Sequence, residues 1–575
     1  MELSVIAVGG VMSVVFVALF ARKLGVAAPL MLVLAGAAIG VLPSVSATSI
    51  QPEWILGGIL PPLLYSAAIN MPTTDFRRNL KPITGLAVLL VVISTGIAGV
   101  LFHALMPQIG WPAAFALAAV LSPTDAVAAT AVGRRLGLPS RLLAILEGEG
   151  LVNDATALVL LRSAVAAMGA GITAGGVIGD FVLAVVGAIA IGLLVGWINV
   201  RIRRRIGDPV LNTAISFVIP FLAYIPAEDL GFSGILAVVV TGLVTSDLAA
   251  RHLRAEDRIT EETNWRTFAF LMEGFIFLLM GISLEDVLGE AGTQGFSIEQ
   301  AILYGAVAAL LLIIIRVIFV VPLFALIKRE DRRAADAKPK LSQWRKGIPG
   351  LRKARIPEHR LPGNLATHRT ALVERRFAKL SADIDFRMRE SLGWRSGAVL
   401  AWSGMRGAVT VAAAQTLPLD TPYRAELVLI AYVGAAVLLL LQGSTLPWVI
   451  RKLNVEGDST EDLRRQRLEM VRELSAAASS ELEMLAASEQ FEPSIIERAR
   501  HDSLAGRREP LNPDQDPDEA RREYIQLRLA VLEAERERML HHLRVGTYSA
   551  EVIASTQKLL DLEEARLQQI SDQDD

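Results

Sequence analysis

A chain of 575 residues with 52% hydrophobic residues and a mean hydropathy of +0.44 is too apolar for an ordinary soluble protein, and it reads as an integral membrane protein. Zero cysteines exclude disulfides, thiolate catalysis and cysteine metal sites. The seven histidines lie at no ligand spacing from the buried carboxylates, so no transition-metal centre is expected. The net charge of −2 says little because charge is segregated along the chain, and no nucleic-acid partner is expected.

A helix needs roughly 17 to 25 apolar residues to cross a bilayer. On that measure the chain offers about thirteen spans: 4–21, 28–43, 51–69, 82–106, 111–132, 141–167, 176–200, 209–226, 231–248, 265–286, 298–327, 394–417 and 424–450. The stretch from Met1 to Phe20 has no basic residues before it and no small-residue cleavage site, so it reads as a retained first span. Alternate loops are basic: Arg22 and Lys23; Arg77, Arg78 and Lys81; Arg134, Arg135 and Arg141; Arg201 to Arg205; Arg251, Arg254 and Arg258. The intervening loops are nearly free of Lys and Arg, and two carry Glu228 and Asp229 or Glu285, Asp286 and Glu290. The positive-inside rule then puts the N-terminus outside and the C-terminal tail in the cytoplasm, which requires an odd number of spans.

The expected organisation is all-α: spans 1 to 11 in residues 1–327, a cytoplasmic insertion at 328–393, spans 12 and 13 in 394–452, and a cytoplasmic helical tail at 453–575. Within the insertion, Val373, Phe377, Leu380, Ile384 and Met388 recur at helical spacing. That face either packs on the protein or touches anionic lipid. In the tail, 518–543 and 549–570 read as a helical hairpin.

Polar residues inside the spans carry the functional signal, because an intramembrane carboxylate is expensive. In the fifth span, Ser122-Pro123-Thr124-Asp125 places a proline and a carboxylate at mid-membrane depth. Pro123 frees a carbonyl that protein or a water-filled cavity must satisfy, and Asp125 can cap the resumed helix or line a pathway. In the sixth span, Glu149 and Asn153 share one helix face while Asp154 is turned about 100° away. Glu149 is therefore available for a buried arginine, Asp154 for exchanging a proton and a cation in a cavity, and Asn153 for a helix-to-helix hydrogen bond or a site role. In the twelfth span, Gly404-Met-Arg406-Gly407 is a glycine-broken helix with an arginine that cannot shed its proton. Arg316 in the eleventh span and Glu273 in the tenth pose the same problem, so Arg406 and Arg316 are expected to neutralise Glu149 and Glu273 in one of the two pairings. The fifth and twelfth spans are both broken and lie seven spans apart, so the second runs opposite to the first. That is the arrangement of an inverted-topology repeat whose broken helices cross near the midplane.

On Ser122-Pro-Thr-Asp125, Glu149 to Asp154, Gly404-Met-Arg-Gly407 and Leu60-Pro-Pro-Leu-Leu-Tyr65, residues 1 to 452 resemble the monovalent cation:proton antiporters, in the electroneutral sodium/proton exchanger branch with NhaP-like bacterial and archaeal members. The resemblance implies that Asp154 binds cation and proton in turn, supported by Asn153, Asp125 and Thr124, and that Glu149 and Arg406 form a buried ion pair. It also implies a homodimer in the plasma membrane that serves pH and sodium homeostasis. No cofactor is implied beyond the transported ions. Two positions depart from the family pattern: Ser66 stands where many archaeal members carry glutamate, and Gly150 where serine is frequent. Both remove oxygens that a hard cation would use. Sodium is the expected cation, with potassium as the alternative.

One titrating group suffices for the mechanism, since sodium and a proton compete for Asp154. With Asn153 neutral, one positive charge enters for each that leaves. One pH unit is then worth roughly 1.4 kcal/mol, enough to sustain about a tenfold opposing sodium gradient. Two rival classes fit less well. An intramembrane aspartyl protease would use Asp125 and Asp154 but lacks a Gly-x-Gly-Asp arrangement, and a passive cation channel would need a filter loop that the sequence does not contain.

Overall fold

The computed structural model describes residues 2–24, 28–41, 54–169, 174–290, 297–354, 363–455, 457, 459–488, 490–505 and 517–572. They divide into two compact units, one of residues 1–253, 260–328 and 392–457, the other of 254–259, 329–391 and 458–575.

The first unit opens with three apolar helices, α1 (Glu2–Leu24), α2 (Ala28–Gly40) and α3 (Trp54–Asn70). A short α4 (Thr73–Arg78) leads into α5 (Leu80–Leu105). The next span is broken into α6 (Gly110–Leu121) and α7 (Ala126–Arg135), and α8 (Ser140–Gly169) follows unbroken. Then come α9 (Ala174–Arg203), α10 (Pro209–Asp229), α11 (Gly234–His252), α12 (Ala255–Ile282), α13 (Leu284–Glu290) and α14 (Ile298–Ala354). After α15 (Gly363–Arg389), the chain returns to this unit with a second broken pair, α16 (Trp394–Trp402) and α17 (Ala408–Gln415), and closes it with α18 (Arg424–Leu453). Every expected span thus has a helical counterpart, and nine helical segments among the described residues are long and apolar enough to cross a membrane. The chain is a multi-pass, all-helical membrane protein.

Local chemistry sets the helix starts. Asp208 accepts from the N–H groups of Val210 (2.7 Å) and Leu211 (3.1 Å), with Pro209 in the first helical position of α10. Ser233 accepts from Leu236 N–H at 3.3 Å and starts α11. Between spans, small residues permit close approach. A Cβ on Gly192 or Gly196 of α9 would lie 2.6 Å from Val240 Cβ or 2.8 Å from Val244 Cβ of α11.

In the second unit, α14 runs unbroken through position 328, where the insertion was expected to begin, because its charged second half remains a good helix former. The amphipathic segment is helical but oriented differently from expectation. Ile384 is buried with Ala382 and Phe386, whereas Leu380 and Met388 stay exposed. Lys338 with Asp385 (2.7 Å) and Glu330 with Arg387 (3.2 Å) fix that orientation by pairing α15 with α14. Val373 lies outside the residues whose side chains are described. The tail forms α19 (Thr460–Ala487), α20 (Pro493–Ala505), α21 (Pro517–Val545) and α22 (Ala550–Asp572), the first three packed around Ala478, Leu482, Ile495, Leu527 and Val531. Asp561 of α22 accepts from Arg536 Nη2 of α21 at 3.0 Å and from Arg258 Nε in the first turn of α12 at 3.1 Å.

Candidate functional site

The two broken helices meet at their breaks. Asp125 N–H donates to the Met405 carbonyl at 2.7 Å, which joins the link Ser122–Asp125 to the link Ser403–Gly407. Each interruption leaves carbonyl groups without helical partners. Arg406 supplies the donors: its Nε reaches the Leu121 carbonyl at 3.0 Å, Nη2 that of Ser122 at 3.1 Å and Nη1 that of Gly404 at 2.5 Å. One guanidinium therefore satisfies the C-terminal ends of α6 and α16 together, where helix dipoles favour a cation. Gly407 permits this approach, since a Cβ there would lie 2.9 Å from Asp125 Cβ and closer still to Asp125 Oδ2. Asp125 in turn caps α7, accepting from Val127 N–H at 2.9 Å.

Glu149 on α8 is paired by Arg316 of α14, not by Arg406. Arg316 Nη2 donates to Glu149 Oε2 at 2.9 Å, Nη1 engages Oε1, and both side chains are 2% exposed. Arg316 also donates to the Leu400 carbonyl at 3.1 and 3.2 Å. The family resemblance gave this place to Arg406, but three backbone carbonyls occupy that guanidinium. Among the described residues no arginine pairs with Glu273, because both candidates are committed elsewhere.

A further chain of bonds runs through Thr124. Its hydroxyl donates to Glu149 Oε1 at 2.8 Å and accepts from Asn153 Nδ2 at 2.8 Å, while the same Nδ2 donates to the Thr124 carbonyl at 2.9 Å. These bonds fix which way the Asn153 amide points. Its Oδ1 is left buried with no partner, a state that ordinarily carries a cost unless something fills it. Asp154, the next residue, borders a cavity of about 10 Å3 with Pro123, Val120, Ala157, Leu161 and Ala413, room for about one water molecule.

Pro123, Thr124, Asp125, Glu149, Asn153, Asp154, Gly404, Arg406 and Gly407 are thus gathered at the crossing, with Arg316 behind them. Ser66 is not. Its hydroxyl donates to the Trp265 carbonyl of α12 at 3.5 Å, inside a buried cluster with Tyr65 and Trp265. Gly150 has a packing reason: a Cβ there would sit 2.5 Å from Ala126 Cβ, so the start of α7 occupies the space a serine would need. Sequence reasoning missed the Met405 carbonyl, because a backbone acceptor leaves no signal in residue type. It also missed the hydroxyl pair of Thr95 and Ser122 at 2.9 Å.

Residues 11–452 match the sequence model of the sodium/hydrogen exchanger transmembrane region. The chain belongs to that family. It is 30% identical over 484 residues to the sodium/proton exchanger Rv2287 of Mycobacterium tuberculosis, covering 83% of this chain and 78% of that one. With the sodium/proton antiporter NhaS2 of Synechocystis it shares 29% identity over 476 residues, 82% of this chain and 74% of the other. A Bacillus pumilus antiporter of sodium, potassium, lithium and rubidium against protons is 33% identical over 323 residues, 54% of this chain and 48% of the other. In fold the exchanger-family chain is similar to the sodium/proton antiporter MjNhaP1 of Methanocaldococcus jannaschii at pH 8, with a TM-score of 0.53 and 17% identity over 79% of this chain and 100% of that one.

Proposed function

We propose that the chain is a secondary antiporter, not an enzyme, that exchanges sodium for protons one for one across the plasma membrane by alternating access. The observations that carry the reading are the buried, unpartnered Oδ1 of Asn153 and, on the next residue, Asp154 bordering a cavity at the crossing of two broken helices. A dehydrated monovalent cation needs oxygen ligands, and a carboxylate with a fixed amide oxygen supplies them. Thr124 holds the amide through Nδ2, so Oδ1 stays turned away from that bond. Broken helices that cross near the midplane are how transporters build such sites.

The charge count supports an electroneutral cycle. Arg316 offsets Glu149, Asp125 caps α7, and Asn153 carries no charge; of the two carboxylates that remain, Glu273 and Asp154, it is Asp154 that borders the cavity and trades a proton for a cation. The alternating basic loops support an outside N-terminus and a cytoplasmic tail. No cofactor is needed, and the function served is pH and sodium homeostasis by a homodimer. Potassium is the second reading, because the site lacks oxygens from Ser66 and position 150 and a Bacillus relative is described as carrying potassium as well as sodium.

The decisive experiment is Asp154→Asn in proteoliposomes, with pH-driven uptake compared for sodium, potassium and lithium. Loss of exchange in a normally folded variant is expected, and exchange at the wild-type rate would overturn the reading.

A further inference from the structure

Asp154 sits near the middle of α8, and the helix continues for two more turns to Arg162, about 12 Å further along its axis. Ala157, Leu158 and Leu161 of this stretch line the cavity beside Asp154. At the end of this stretch Arg162 Nη2 pairs with Glu228 Oε2 in the last turn of α10, and Nη1 reaches the Phe232 carbonyl at 3.5 Å. The carboxylate that receives the arginine is already fixed. Its other oxygen accepts the N–H of Gly234, the first residue of α11, at 2.8 Å. The tight turn between α10 and α11 therefore presents one carboxylate oxygen and one carbonyl to a guanidinium carried by the helix that bears Asp154. Because Glu228 is held by the turn, the pair loses less side-chain entropy than a bridge between two free side chains.

We propose that Arg162 and Glu228 are positioning residues for exchange, forming a latch that closes the Asp154 cavity toward the membrane face on which the α10–α11 turn lies. Opening the cavity to that face requires α8 to part from the turn, and the ion pair opposes that parting. Glu228 keeps its bond to Gly234 in either state, so the latch can break and reform without disordering the turn. The inference rests on the exchange reading for the role of Asp154, but its test does not depend on transport.

The chain contains no cysteine, so a single Ala157→Cys places the only thiol in the cavity wall. In oriented membrane vesicles, labelling by a membrane-impermeant cationic thiosulfonate from the face of the α10–α11 turn reads access directly. Adding Arg162→Ala, or Glu228→Gln, which keeps an acceptor for Gly234, is expected to raise the labelling rate about fivefold, the opening equivalent of about 1 kcal/mol for a partly exposed ion pair. The charge swap Arg162→Glu with Glu228→Arg is expected to return labelling toward the starting rate. Unchanged labelling in both single variants, with monodisperse protein, overturns the latch even where wild-type exchange is intact. A swap that labels as fast as the single variants overturns it as well. Failure of the exchange reading shows separately, as exchange that survives Asp154→Asn.

Discussion

Replacing Arg316 by alanine tests the assignment on which the site's charge count depends. At 2.9 Å between Nη2 and Oε2, two unit charges in an effective dielectric of ~20 attract by about 6 kcal/mol before desolvation is subtracted. The variant leaves Glu149 buried with Thr124 as its remaining donor, and it removes the bonds to the Leu400 carbonyl. Loss of one partner from such a buried pair costs about 3–5 kcal/mol. Arg406→Ala is expected to be similarly damaging for a different reason, since it strips three carbonyls of charged donors worth about 1.5–3 kcal/mol each. Total destabilisation therefore does not separate the two arginines, but coupling does. In double-mutant cycles with Glu149→Gln, read from unfolding of the detergent-purified protein, coupling to Arg316 is expected at about 2–3 kcal/mol and coupling to Arg406 below about 1 kcal/mol. A larger coupling to Arg406 than to Arg316 would refute the assignment.

Three further outcomes follow from named contacts. Gly407→Ala pushes a methyl into Asp125, an overpacking cost of about 1–3 kcal/mol; sodium exchange in vesicles should fall at least about tenfold while the variant still purifies as folded protein, and normal exchange would contradict the close approach. Asp561→Asn weakens the bridge that one buried carboxylate makes to Arg258 and Arg536, so trypsin should cleave within 517–572 markedly faster in the full chain, at a stability loss of about 3 kcal/mol; equal cleavage rates would count against the bridge. His542 of α21 is half-buried, with Nε2 3.6 Å from Glu473 Oε2 of α19, Nδ1 3.5 Å from Thr547 Oγ1, and Arg538, His541 and Tyr548 around it. Burial holds its pKa below the ordinary 6.5, outweighing the Glu473 charge, with His541 and Arg538 adding to the lowering. The unfolded chain thus binds the proton more readily, so this contribution to stability is complete above pH 6.5 and is lost as pH falls toward the lowered value. Proteolysis of the tail should accelerate on acidification below pH 6.5 in the wild type and less so in His542→Gln; identical pH profiles would remove His542 as the cause.

How much of this was legible depends on the physics behind each feature. The spans were, because bilayer thickness converts directly into a length of apolar sequence, and α5, α8 and α18 lie where the hydropathy puts them. The breaks were, because Pro123 removes a helical hydrogen bond and Gly404 and Gly407 are poor helix formers beside polar residues, although α10 runs on through Pro220 and Pro226. Partner choice was not. Arg316 and Arg406 have the same side chain in equally apolar surroundings, and only the fold shows that Arg406 lies against the open ends of α6 and α16 while Arg316 faces Glu149. At position 328 the apolar run ends but α14 does not, because loss of hydropathy marks the end of an apolar run and helix propensity does not end with it.

Gly150 shows how a missing ligand can be a packing requirement. From sequence it is an oxygen lost relative to the family pattern, a deficit that a single Gly150→Ser exchange would repair. In the fold, a Cβ at that position meets Ala126 Cβ at 2.5 Å, at the residue that follows the capping Asp125. A serine would push α7 away from α8 and carry Asp125 with it, displacing an existing carboxylate to add one hydroxyl. The oxygen supply at the crossing is therefore set jointly by Gly150, Ala126 and Asp125. Cation preference in this chain should respond to paired changes that make room at Ala126, and not to restoration of the serine alone.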